Sequence, residues 1–135
     1  MPAAPKATSS ISPSPTAKVR PGTPERCQQW QPNVDLSGCI LNHADMSGAD
    51  LSGANLRNVW LFKANLTGAN LSGADLTGLN ALQADLSDAN LTGADLSQAR
   101  LLWANLAGTK FAGTKCAQTE WADGAMIAGS ACPDS

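Results

Sequence analysis

Residues 34–118 read in fives as VDLSG CILNH ADMSG ADLSG ANLRN VWLFK ANLTG ANLSG ADLTG LNALQ ADLSD ANLTG ADLSQ ARLLW ANLAG TKFAG TKCAQ. The register holds through 17 units without an insertion. Leu fills the third place in 13 units and Ala the first place in 11. In LNALQ the large and small residues trade places as Leu79 and Ala81. A packed interior tolerates a swap that conserves volume, so both places point inward.

A period of five suits neither regular element. On an α-helix five residues turn about 500°, so successive leucines would wander around the surface. On a flat strand they would alternate between faces. The pattern is satisfied if the chain bends once per unit, turning every first and third residue toward one axis. Gly is frequent at the fifth place, with Asn, Asp and Gln as substitutes, as a corner with positive φ requires. Four sides close a square of 20 residues, and a 20-residue superperiod exists independently. The units CILNH, VWLFK, LNALQ, ARLLW and TEWAD, which begin at 39, 59, 79, 99 and 119, collect the irregular residues on one face.

The A(D/N)LxG pattern resembles the pentapeptide repeat family across residues 34–118, and weakly across 119–126. The resemblance implies an all-β, right-handed quadrilateral β-helix of about four to five coils with end caps. It also implies that second, fourth and fifth residues face solvent. The expected organisation is a disordered Pro/Ser/Ala-rich linker at 1–26, an N-terminal cap at 27–33, the β-helix at 34–123 and a C-terminal cap at 124–135.

Four cysteines allow three pairings. Cys27 and Cys39 fall at the first coil, and Cys116 and Cys132 at the last. The rod ends are roughly 20 Å apart, whereas bridged Cα atoms lie within about 7 Å. Only Cys27–Cys39 with Cys116–Cys132 then fits, and zinc held by all four is excluded. The Cys116 to Cys132 stretch resembles the disulfide-closed cap of exported or thylakoid-lumen pentapeptide proteins. The expected location is an exported compartment (periplasm, thylakoid lumen or extracellular) with the signal peptide removed. The alternative is a cytoplasmic chain with four reduced cysteines, Cys39 and Cys116 being core residues.

A formal charge of −2 and a pI near 5.1 argue against nucleic acid as a partner. No apolar run reaches the 18 residues of a membrane span. The one histidine, His43, sits on a corner, with Lys63 stacked one coil along. Aspartates at the second place (Asp35, Asp45, Asp50, Asp75, Asp85, Asp95) read as structural ladder residues interleaved with Asn. Without a phosphate loop, metal spacing or nucleophile triad, the chain is expected to be no enzyme, with no cofactor, metal or small-molecule substrate.

Three non-enzymatic functions remain. The favoured one is a structural rod that binds a protein partner, or itself as a homodimer, through one apolar face. That face presents Ile40, Trp60, Phe62, Leu82, Leu102 and Trp103, where other faces carry Ser, Thr, Asn, Asp and Gly. The segment 27–33 with Trp30 could instead fold back over it. The alternative function, implied by the resemblance, is a DNA-mimic inhibitor or protector of a type II topoisomerase. Ice binding by stacked Ser47, Thr67 and Ser87 hydroxyls comes last.

Overall fold

The structure, a computed structural model, describes residues 19, 21–127 and 129–133. Most of the expected linker, residues 1–18 and 20, lies outside them. Single-residue parallel bridges join positions 20 apart, from Asp35↔Asn55 to Arg100↔Glu120. Each side of the square offers one bridging residue before the next corner, so no bridge extends into a longer strand among the described residues.

The backbone hydrogen bonds of one unit explain why the sequence repeats in fives. In residues 64–68 the Ala64 N–H closes the corner onto the Leu61 carbonyl (2.9 Å). Asn65 donates back to the Ala44 carbonyl (2.9 Å), and Leu66 and Gly68 donate forward to the Asp85 and Ser87 carbonyls (2.7 and 2.9 Å). The remaining N–H, on Thr67, donates to the Asn65 side-chain oxygen (3.0 Å), which also accepts the Thr67 hydroxyl (2.6 Å). All five N–H donors of the unit are satisfied, although no strand among the described residues is longer than one residue. Asn or Asp at the second place is therefore a backbone cap, and Ser or Thr at the fourth is its companion.

Four faces follow from the bridges, each named by its column of second-place residues. Face 1 carries Asp35, Asn55, Asp75, Asp95 and Lys115, and face 2 carries Ile40, Trp60, Asn80, Arg100 and Glu120. Face 3 carries Asp45, Asn65, Asp85 and Asn105, and face 4 carries Asp50, Asn70, Asn90 and Lys110. Third-place leucines from Leu36 to Leu101 are buried between them, with Leu51, Leu71 and Leu91 above one another in one column. Leu79 and Ala81 are both buried, so the swapped unit keeps its two inward places.

The two ends close differently. Before the first coil a 3-10 turn, Glu25–Gln28, straddles the expected linker–cap boundary. Arg26 donates to the Asp35 and Ser37 carbonyls (2.9 and 3.0 Å), and Trp30, only 7% exposed, joins the core while its ring N–H meets the Cys27 carbonyl. At the other end the chain turns at 121–124 and returns antiparallel, bridging Glu120↔Met126 and Lys115↔Ala131. Cys116, Gln118 and Trp121 then donate to Ser130, Ile127 and Ala125. Leu106, Gly108, Phe111 and Gly113 gain no such acceptors for their N–H groups among the described residues.

Candidate functional site

Face 2 departs from the other three in its second and fourth columns. Ile40 and Trp60 stand where the repeat calls for Asn or Asp, and Phe62, Leu82 and Leu102 stand where it calls for Ser or Thr. The capping role is partly recovered: Phe62 N–H donates to Asn42 Oδ1 one coil below (2.9 Å), and Leu82 N–H to Asn80 Oδ1 (3.3 Å). The large apolar side chains exposed among the described residues are Ile40 (57%), Trp60 (49%), Trp103 (64%) and Met126 (62%). The first three lie on face 2 or its corner, and Met126 bridges Glu120 at the end of the same face. Between them Phe62, Leu82 and Leu102 are half-buried. Phe62 is flanked by the edge of His43 (5.6 Å between ring centres) and by Lys63 Nζ (5.3 Å from its centre).

The corner beside face 2 is built from His43, Lys63, Gln83 and Trp103, all with φ between 58° and 64°. Each of the other three corner columns contains glycine at this left-handed conformation. A side chain there costs roughly 1 kcal/mol, and four in one column concentrate that cost beside the apolar face. Face 2 also gathers charge: Arg100 Nε pairs with Glu120 Oε1 at 3.1 Å, and Lys63 projects at the corner.

The other faces hold their polar groups in structural bonds. On face 3 the Ser87 hydroxyl and amide lower the Asp85 pKa, outweighing partial burial. On face 1 Asp35 is lowered by the Ser37 hydroxyl and amide, with Arg26 a lesser cause. Asn interrupts the aspartates on face 3, but on face 1 the expected interleaving fails, since Asp75 bridges Asp95 directly. Burial raises the Asp75 pKa, and the Thr77 hydroxyl and amide with Arg57 (3.1 Å away) outweigh it, leaving it lowered. Among the described residues no group of three or more His, Cys, Asp or Glu could hold a metal ion. No helix of the described residues is long and apolar enough to cross a membrane.

Cys27 bonds to Cys39 and Cys116 to Cys132, with Cα separations of 5.8 and 5.0 Å. Trp30 is committed to the interior next to the first of these, rather than lying open as a lid. Sequence reading overlooked Met126, Arg100 and Glu120 on face 2. It also missed the buried Thr109, Thr114 and Thr119, whose hydroxyls donate to the Leu86, Leu91 and Leu96 carbonyls (2.6–2.7 Å). The available signal was Thr at three successive first places.

The profile described as "Pentapeptide repeats" matches eight copies, over residues 33–68, 69–106 and 84–115. The chain is similar to the pentapeptide repeat protein Rfr23 of the cyanobacterium Cyanothece 51142, at 35% identity over 67% of this chain and 62% of that one, with a TM-score of 0.66. It is also similar to HetL of Nostoc sp. strain PCC 7120, a protein involved in heterocyst differentiation regulation, at 33% identity over 70% and 52%, TM-score 0.41. A pentapeptide repeat protein of the Arabidopsis thaliana thylakoid lumen matches at 28% identity over 70% and 66%, TM-score 0.34. The match thus spans less than two thirds of Rfr23 and about half of HetL. No curated protein matches the chain. The five-residue register, the parallel bridges 20 apart, the profile and the likeness to Rfr23 agree: the chain belongs to the pentapeptide repeat family, whose members are right-handed quadrilateral β-helices.

Proposed function

We propose that this chain is a non-enzymatic rod that docks a protein on face 2, through Ile40, Trp60, Phe62, Leu82, Leu102 and Trp103. The rod is four to five coils long, closed by caps at 27–33 and 124–135. The observation carrying the reading is the contrast between faces. Three tie their polar side chains into backbone caps, while face 2 leaves two tryptophans and an isoleucine in water beside a corner without glycine. Apolar exposure of that kind on a soluble rod marks a docking surface. The two disulfides support an oxidising, exported compartment.

The other readings have less support. Lys110 and Lys115 end two of the columns that a DNA mimic would keep acidic. The Ser47, Thr67 and Ser87 hydroxyls donate to the Asx oxygens beside them, so they are not free to match an ice lattice.

The test is a charge placed on the face. Phe62→Asp and Leu82→Asp leave the inward neighbours Leu61 and Ala81 untouched, and each should weaken the complex tenfold or more. Thr92→Asp on face 4 is the control and should change little. Asp variants of face 2 that bind and sediment like the parent would remove this face from consideration.

A further inference from the structure

Face 2 carries its own complement. Number its rungs from Ile40–His43 as the first to Glu120–Ala122 as the fifth, with the second-place, fourth-place and, on the first four rungs, corner columns side by side. We propose that a second copy of this chain docks on face 2 with the rods antiparallel, about a two-fold axis along the third rung, through Asn80, Leu82 and Gln83. The proposal rests on reading face 2 as a docking surface and names its occupant.

Such an axis keeps each column over itself while exchanging the second rung with the fourth and the first with the fifth. Trp60 then meets Arg100 of the second copy, and Lys63 meets its Trp103, so each exposed cation of the face finds an indole. Phe62 packs on Leu102 of the second copy, and Leu82 packs on its own equivalent. Asn80 lies opposite Asn80 of the second copy, where two amides can exchange hydrogen bonds. On the outer rungs Ile40 faces Glu120 of the second copy, beside the end that carries Met126.

The charges favour this orientation over the parallel one. A two-fold axis running along the rod would keep every rung level and form cation–indole contacts too, but it would gather both Arg100–Glu120 pairs, like charge beside like, at one end of the dimer. In the antiparallel arrangement the two Arg100–Glu120 pairs, each 3.1 Å apart within its own chain, lie at opposite ends. The remaining guanidinium nitrogens of Arg100 are available for the indole of Trp60.

The exposed parts of Ile40, Trp60 and Trp103, with the half-buried row between them, supply on the order of 1,000 Å² across two copies. That lies at the lower limit of specific interfaces, so association should be reversible at micromolar concentration.

The experiment uses the chain's own cysteines. All four are bonded, so Leu82→Cys introduces the single free thiol, placed on the axis. A disulfide needs Cα atoms within about 7 Å, which makes linkage a test of position rather than of proximity alone. Under mild oxidation Leu82→Cys should form a covalent dimer at least tenfold faster than Ser72→Cys on face 4. Gln83→Cys, also on the axis, repeats the measurement if the first variant folds poorly. Orientation is read by mixing Phe62→Cys with Leu102→Cys: the mixture should link across the two variants, and neither should link efficiently alone. Self-linked Phe62→Cys would overturn the antiparallel arrangement.

A parent that sediments as a monomer, with Leu82→Cys no faster than Ser72→Cys, overturns the second copy as occupant. Hydroxyl-radical footprinting of the native complex then separates the two failures. Selective shielding of Trp60 and Trp103 would retain face 2 as a docking surface for another protein. Equal exposure of face 2 and face 4 would remove both readings.

Discussion

The side-chain oxygen of Asn58 occupies the space that a Cβ on Gly78, one coil above, would need. Asn33 and Gly53 stand in the same relation, as do Asp88 and Gly108. A short polar side chain at a left-handed corner thus leans onto the next rung and must rotate aside if that rung carries a Cβ. Gly73 occupies an equivalent corner with φ near 68°, but a Cβ there would meet open space. Gly73→Ala should cost about 1 kcal/mol for backbone conformation, and Gly78→Ala about 0.5–1.5 kcal/mol more for displacing the Asn58 side chain. Urea unfolding of the pair checks this, and adding Asn58→Gly to Gly78→Ala should recover the difference.

Replacing Thr114 or Thr119 by Val conserves shape and removes a buried hydroxyl bond to Leu91 or Leu96. Each variant should lose about 1 kcal/mol in a denaturant titration, since those carbonyls keep their amide partners Ala94 and Ala99. A loss above about 3 kcal/mol would mean that the hydroxyls hold the terminal coil in place rather than merely filling a vacancy.

Reduction should act on the ends. The bridges close segments with sequence separations of 12 and 16, each worth about 3 kcal/mol in the chain-entropy account. Thiol reductant should lower the urea midpoint. In hydrogen exchange the Cys116, Gln118 and Trp121 amides should lose protection first, because their acceptors lie on the returning segment that Cys132 tethers.

Acid should weaken the rod in a defined window. Asp85 has a folded pKa below its ordinary 3.8 through the Ser87 hydroxyl and amide. A lowered folded pKa gives stabilisation that is complete above the unfolded value and lost as pH falls through the folded one. Asp85→Asn keeps the accepting oxygen, so its urea midpoint should fall less than the parent's between pH 6 and about pH 2.5. Identical pH profiles would show that the carboxylate's charge contributes nothing there.

The corner beside face 2 predicts opposed effects. Lys63→Gly and Gln83→Gly relieve a left-handed side chain and should raise stability by up to about 1 kcal/mol. Lys63→Gly should at the same time weaken docking, having lost the ammonium next to Phe62. Gln83→Gly removes a side chain on the proposed axis and should weaken docking as well, whereas Asp88→Gly, at a left-handed corner away from face 2, should leave docking nearly unchanged. Thermal melts and sedimentation on the same samples separate the two effects.

Much of this architecture is legible in the sequence, because every unit repeats the same local solution. The Leu79/Ala81 exchange reveals which places face inward, and the spacing of CILNH, VWLFK and ARLLW reveals which face is irregular. Legibility stops where the period stops. After the TEWAD unit no five-residue register constrains the chain, so the antiparallel return through Met126 could not be anticipated, nor could Met126 be placed on face 2. The reach of Asn42 to Phe62 is hidden for another reason: it links neighbouring coils, whereas the repeat advertises caps within one unit. Arg100 and Glu120 break the Asx rule as plainly as Trp60 does, but their pairing depends on side-chain reach rather than on spacing.

The two disulfides lie at opposite ends of the stack and leave the coils between them joined only by hydrogen bonds and packing. A force applied to the chain termini therefore meets covalent closures first. Cys27–Cys39 and Cys116–Cys132 keep the outermost loops from peeling, and tension passes into residues 40–115. There the bonds between coils lie along the rod axis, so the load should open them in sequence, like a zip. Each 20-residue turn released would add roughly 70 Å of contour length. The protein should behave under tension as an extensible spring with locked ends, and a reducing agent should lengthen its final extension without altering the spacing of the steps in between.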